Sequence, residues 1–129
     1  SLMMRLEDDI VPALYACAKG EGLNGVGLAM HEKAAICVVM AAQGYPEEYL
    51  KGTQIRGIDT ANALTGVKVF HAGTAIQGDA TLAMGGRVLG VTAIGATLRE
   101  AQQRAYEAIA QIDWPEGFYR KDIGWRALG

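Results

Sequence analysis

The chain has 129 residues, 50% hydrophobic and 20% charged, which suits a single domain and excludes intrinsic disorder. Twelve Lys and Arg stand against fourteen Asp and Glu, a formal net charge of −2, so there is no basic footprint for nucleic acid or an anionic membrane. No apolar run approaches the ~20 residues of a membrane span, and no signal or transit peptide is read at the N-terminus, so the cytoplasm is the expected compartment.

From Leu6 to Cys17 the residues Leu6, Ile10, Leu14 and Cys17 recur at helical spacing. A cap at Asp8 or Asp9 would put Pro12 in the first turn, where its missing N–H costs nothing. Gly20 is expected to end this helix, with Lys19 at the negative end of its dipole. Gly20-Glu21-Gly22-Leu23-Asn24-Gly25 fits the letters of a dinucleotide fingerprint, but a helix precedes it where a strand is needed. It reads as a helix cap followed by an Asn-Gly turn.

Ala34 to Ala41 is a continuous apolar run of strand length, expected to be buried on both faces. Gly44-Tyr45-Pro46 breaks it, and Thr53 to Ile58 reads as a short strand after the Lys51-Gly52 turn. Gly66 to His71 alternates as a strand should. Gln77-Gly78-Asp79 is turn material between Thr74–Ile76 and Thr81–Met84, which predicts a hairpin. After Gly85-Gly86, Arg87 to Ala93 resumes a β pattern.

Thr97-Leu98-Arg99-Glu100 has the form of a capping box, in which the Thr hydroxyl takes one free N–H and Glu100 reaches back to another. Leu98, Ala101, Ala105, Ile109 and Ile112 follow as one apolar stripe, and Pro115 forbids continuation. The aromatic tail from Phe118 to Trp125 is expected to pack back on the domain. The expected class is α+β: a helix, short antiparallel strands, and a capped helix over about residues 97–112. With 17 glycines, about twice the usual ~7%, tight turns and bulges are expected between the strands.

Catalytic residues are not evident. Cys17 and Cys37 sit in apolar runs and read as buried, reduced thiols, with no spacing for a disulfide framework or a metal site. His31 lies in a polar turn and is expected to be exposed without a role. Asp8 and Asp9 are adjacent and cannot face each other as an acid–base pair. Two segments combine glycine with polar groups inside β structure: Phe70-His71-Ala72-Gly73-Thr74 and Gly85-Gly86-Arg87-Val88-Leu89-Gly90-Val91-Thr92. Glycine lets backbone N–H groups approach an anion, and Arg supplies a planar fork for phosphate or carboxylate. Two hairpin corners with a solvated Arg would look the same.

Six segments occur in register: Arg5-Leu6-Glu7-Asp8-Asp9, Gly44-Tyr45-Pro46, Lys51-Gly52, Val67 to Thr74, Gly85 to Thr92, and Tyr119 to Gly124. Together they resemble the C-terminal domain of the phosphoribosylamine–glycine ligase family, the glycinamide ribonucleotide synthetases. The resemblance covers essentially the whole chain. It implies an ATP-grasp ligase of purine biosynthesis, which joins glycine to 5-phosphoribosylamine as ATP goes to ADP and phosphate. The family's N-terminal domain, ATP-grasp nucleotide site and Mg²⁺ (or Mn²⁺) carboxylate would lie upstream and form the partners of this chain, whose own share of cofactors and metal would be none. The likeness further implies a barrel-sandwich-like domain related to that of biotin carboxylase over residues 25–129. Residues 1–20 would form a helix at the junction with the ATP-grasp part. Gly85, Gly86 and Arg87 would meet the 5-phosphate of the substrate, with His71, Gly73 and Thr74 alongside; no residue would be catalytic, and the chain alone would be inactive. The alternative is a non-catalytic barrel-sandwich module that docks another protein. A carrier version of it would need a Lys displayed beside Met, and no Met-Lys pair occurs.

Overall fold

The computed structural model describes residues 1–129. Two antiparallel sheets organise it. One runs in the order β3-β6-β1-β7, built from β1 (Ala34–Ala42), β3 (Val67–His71), β6 (Arg87–Gly95) and β7 (Gly117–Tyr119). The other runs β2-β5-β4, from β2 (Thr53–Ile55), β4 (Thr74–Gln77) and β5 (Ala80–Ala83). The helices are α1 (Leu2–Arg5), α2 (Val11–Lys19), α3 (Ile58–Asn62) and α4 (Leu98–Ala110), and a single 3-10 turn spans Trp125–Ala127. The architecture is mixed α and β with no closed barrel.

The core lies between the larger sheet and α4. Ile36, Val38 and Met40 of β1 face the same side as Leu89, Val91 and Ala93 of β6 and Val67 and Val69 of β3, and all are buried. Ala101, Ala105, Ala108 and Ile109 of α4 close over them. Small residues let the helix approach closely: a Cβ on Gly95 would stand 2.7 Å from the Ala101 nitrogen. Thr97 caps α4 as its spacing predicts, its hydroxyl accepting from the Glu100 N–H at 3.2 Å. The Glu100 carboxylate reaches back one residue further than expected and accepts from the Ala96 N–H at 2.7 Å.

Strand β1 departs from its expected burial. Its opposite face, Ala35, Cys37 and Val39, is only partly covered, and Val39 is 44% exposed. An unbroken apolar run hides this, because side chains alternate across a strand whatever their character. The strand expected over Thr53–Ile58 ends at Ile55, since Gly57 takes a left-handed φ of 78° and opens α3 at Ile58. The 74–84 hairpin forms with Gln77 opposite Ala80, leaving Gly78-Asp79 as the turn.

The N-terminal helix is shorter than its stripe. Leu6 is drawn into a bridge with Met30, α2 begins at Val11 with Pro12 in its first turn, and Gly20 ends it at φ 72°. Asp9 accepts from the Val11 N–H at 2.9 Å, whereas Asp8 holds the Ala29 N–H at 2.7 Å. The buried face is Ala13 and Ala16; Leu14 and Cys17 are exposed, which corrects the expectation of a buried Cys17. His31 is not free either: its Nδ1 lies 3.8 Å from a Glu7 carboxylate oxygen.

The tail packs back through Tyr119 and Ile123, while Phe118 and Trp125 stay exposed. β7 pairs with the end of β1, and Tyr106 of α4 holds the next segment by donating its hydroxyl to the Arg120 carbonyl (2.8 Å) and accepting from the Ile123 N–H (3.1 Å). Gln102 donates to the Ile123 carbonyl at 2.7 Å. Arg120 forks onto Asp122, and that side-chain hydrogen bond holds the Asp122 carboxyl below the ordinary carboxylate range. Trp114, buried beside Gly117, donates its indole N–H to the Thr53 hydroxyl at 2.9 Å and so ties the second sheet to the first.

Candidate functional site

The two glycine-containing segments meet where the sheets join. The corner between β3 and β4 lies against the corner between β5 and β6, with Gly73 and Gly85 in backbone contact. A Cβ on Gly73 would stand 2.8 Å from the Gly85 Cα and 2.7 Å from the Arg87 carbonyl oxygen. The Gly85 N–H donates to the Gly73 carbonyl (3.0 Å), and the Gly73 N–H donates to the Val88 carbonyl (3.2 Å). These donors, expected to face an anion, are spent inside the fold. The two glycines serve close approach.

A bulge in β6 sets the direction of Arg87. Leu89 lies opposite Met40 and Arg87 opposite Ala41, so β6 carries one residue more than β1 over this step. Val88 and Leu89 are both buried, while Arg87 turns to the outer face of the sheet beside Val39 and is exposed. A bulge re-aims a side chain in this way. Without it, Arg87 would fall on the core side with Leu89 and Val91. Its guanidinium has no carboxylate within ion-pair distance.

Arg87 lines a groove of about 490 Å³ on the outer sheet face together with Val39, Tyr45, Ala72, Gly86 and Gly90. Tyr45 had not been assigned to a site from its sequence. Its ring lies against the Gly86 backbone, where any Cβ would fall 2.1 Å from a ring carbon. Tyr49 meets that ring edge-on, with centroids 6.2 Å apart. The signal was present in the order of residues: a Gly-Gly pair leaves a flat backbone on which an aromatic from another turn can rest.

His71 is placed elsewhere. It follows Val67 and Val69 on the opposite side of β3 from Ala72, and its Nδ1 lies 2.9 Å from the Thr74 hydroxyl. It lines a second groove, of about 510 Å³, with Gln54, Arg56, Asp59, Thr60 and Asp79. Arg56 is engaged there by Gln54 at 2.8 Å and Asp113 at 3.7 Å. Two further carboxylates, Asp59 and Asp79, make this groove a poor host for an anion. The structure thus divides the six residues: Arg87 and Gly86 share one groove, His71 lines the other and meets Thr74 through its Nδ1, and Gly73 and Gly85 pack against each other at the corners. No three His, Cys, Asp or Glu side chains converge to hold a metal. No helix is long and apolar enough to cross a membrane.

Comparison with known proteins adds to this geometry. Residues 35–126 match the family model described as the phosphoribosylglycinamide synthetase C domain. Over 127 residues the chain is 52% identical to the phosphoribosylamine–glycine ligase of Brucella melitensis, covering 98% of this chain and 30% of that protein. The ligase of Mesorhizobium japonicum is 55% identical, with 98% and 29% covered, and the chloroplastic ligase of Arabidopsis thaliana is 54% identical, with 98% and 24% covered. The chain therefore spans less than a third of the length of these relatives. The crystal structure of phosphoribosylamine–glycine ligase from Thermotoga maritima superposes with a TM-score of 0.59 at 34% identity, over 68% of this chain and 21% of that one.

Proposed function

The chain belongs to the phosphoribosylglycinamide synthetase C-domain family, and from that premise we propose that it is the substrate-cleft portion of an ATP-dependent ligase. That ligase joins glycine to 5-phosphoribosylamine in purine biosynthesis, in the cytoplasm. The observation that carries the reading is Arg87, an unpaired guanidinium turned by a bulge into a groove beside the ring of Tyr45. We assign it the 5-phosphate of phosphoribosylamine. A dianion there would gain a bidentate, charge-assisted contact that a lysine cannot reproduce. Gly86 supports the contact by admitting Tyr45. Gly85 and Gly73 act by packing the two corners together, and His71 with Thr74 borders the neighbouring groove.

The residues present do not fit ATP or its Mg²⁺ (or Mn²⁺). The chain gathers no cluster of metal-binding side chains, and its one G-x-G-x-x-G stretch follows α2 instead of opening a helix. On this reading both are held by the remainder of the ligase, and no chemical step is carried by this chain. Its role is to bind and orient the phosphate end of one substrate. The two sheets joined at the glycine corners are read as a variant of the barrel-sandwich domain. Residues 1–20 are read as the junction with the ATP-grasp part, covered by it in the whole enzyme.

The test compares the parent ligase with residues 1–129 alone. The parent should form the glycinamide product from phosphoribosylamine, glycine and ATP, and the isolated chain should form none. The melting midpoint of the isolated chain should not move with Mg-ATP, although a ligand at 100 times its Kd would add about 2.7 kcal/mol. An ATP-dependent shift would reveal a nucleotide site in this chain and overturn the assignment.

A further inference from the structure

Gly90 sits in the middle of β6, opposite Val39 on β1 and Phe70 on β3. A glycine inside a strand loses packing and backbone entropy, so a structural demand for it should be visible. None is. Gly90 does not have a left-handed φ, and a Cβ there would meet the Cys37 sulfur at 3.4 Å and the Phe70 Cβ at 4.0 Å, both ordinary contacts. Gly86, by contrast, has no room for a Cβ. What Gly90 does provide is the floor of the Arg87 groove. Its missing side chain opens a slot between Val39 and Phe70, 44% and 42% exposed, with Arg87 and Tyr45 on the same groove.

We propose that this slot receives the sugar ring of a ribose phosphate whose phosphate lies on Arg87, with Gly90 as the residue that determines its fit. The inference rests on the assignment of Arg87 to the substrate phosphate and extends it to the ring. A furanose ring presents a face of C–H groups as well as hydroxyls. An apolar floor with one charged group and one phenol at its rim matches that mixture, since ligand grooves are mostly apolar with a few placed polar groups. The Tyr45 ring, set against Gly86 and Tyr49, forms the side wall. Cys37 shares the outer face with Val39, and its sulfur, 3.4 Å from where a Cβ at 90 would stand, borders the slot, so a side chain added at 90 grows into the space between Cys37, Val39 and Phe70.

Gly90→Ala and Gly90→Val in the parent ligase test this. Both should keep the melting midpoint, the KM values for glycine and ATP, and the inhibition constant for inorganic phosphate, the probe for the Arg87 contact alone. Gly90→Val should raise KM for phosphoribosylamine about tenfold or more, the usual effect of a misfitting methyl group, and Gly90→Ala by less. Arg87→Ala serves as the comparison and should weaken both phosphoribosylamine and inorganic phosphate. If Gly90→Val leaves KM for phosphoribosylamine unchanged while Arg87→Ala raises it, the slot is wrong and the phosphate assignment stands. If neither variant moves it, both are overturned.

Discussion

Tyr106 shows how much of the fold a single hydroxyl can hold. It donates to the Arg120 carbonyl and accepts from the Ile123 N–H, so both hydrogen-bonding capacities of one oxygen are used on a segment 14 to 17 residues away. Removing it leaves a part-buried N–H and a carbonyl without partners, and an unmade bond costs more than a made one contributes. Tyr106→Phe should therefore lower unfolding free energy by about 1–3 kcal/mol. The loss would appear in a urea titration as a reduced midpoint with unchanged slope. An unchanged midpoint would mean that β7 pairing and the Gln102 hydrogen bond hold the Tyr119-Arg120-Lys121-Asp122-Ile123-Gly124 motif without it. The spacing of the sequence gives no hint of this bond, because Tyr106 lies on α4 and its partners lie beyond Pro115. The same holds for Arg87. Its residue type and glycine neighbours were readable, but its direction depends on a bulge that only pairing with β1 reveals.

Elements with strong local signals were legible. The capping box and stripe of α4, the 74–83 hairpin and strand β3 follow from spacing and turn chemistry alone. Elements decided by tertiary contact were not: β1 is open on its outer face, α3 replaces the end of an expected strand, and Leu6 leaves a helical stripe to bridge Met30. The consequence for α2 is physical. With only Ala13 and Ala16 buried, Val11, Leu14 and Tyr15 stand exposed, and Leu2 and Met3 of α1 are exposed too, while Met4 and Leu6 are half-buried. Exposed apolar side chains thus stand on both N-terminal helices. Exposed patches of this kind drive association. In the isolated chain, kept reduced because Cys17 is exposed, sedimentation should show concentration-dependent self-association. Leu14→Lys with Tyr15→Lys should abolish it without lowering the melting midpoint. A wild-type chain that stays monomeric at all concentrations would remove the argument that this helix is covered in the parent enzyme.

At the scale of the whole molecule, the larger sheet carries Arg87 on its outer face and packs α4 and the core on the other. The family was legible in six short segments, and the comparisons bear it out over nearly the whole chain. The site was legible only as a list of residues, which the fold then sorted into two grooves of opposite character. The proposed phosphate contact lies in the groove with an unpaired guanidinium, not in the one that holds Asp59 and Asp79. The most direct measurement is KM for phosphoribosylamine in the parent ligase carrying Arg87→Ala. Charge-assisted hydrogen bonds are worth about 1.5–3 kcal/mol each, so the rise should be roughly tenfold to a hundredfold, a factor of ten being 1.4 kcal/mol. Arg87→Lys should recover part of the loss, and KM for glycine and ATP should hardly change. A well-folded Arg87→Ala ligase with the wild-type KM for phosphoribosylamine would contradict the account.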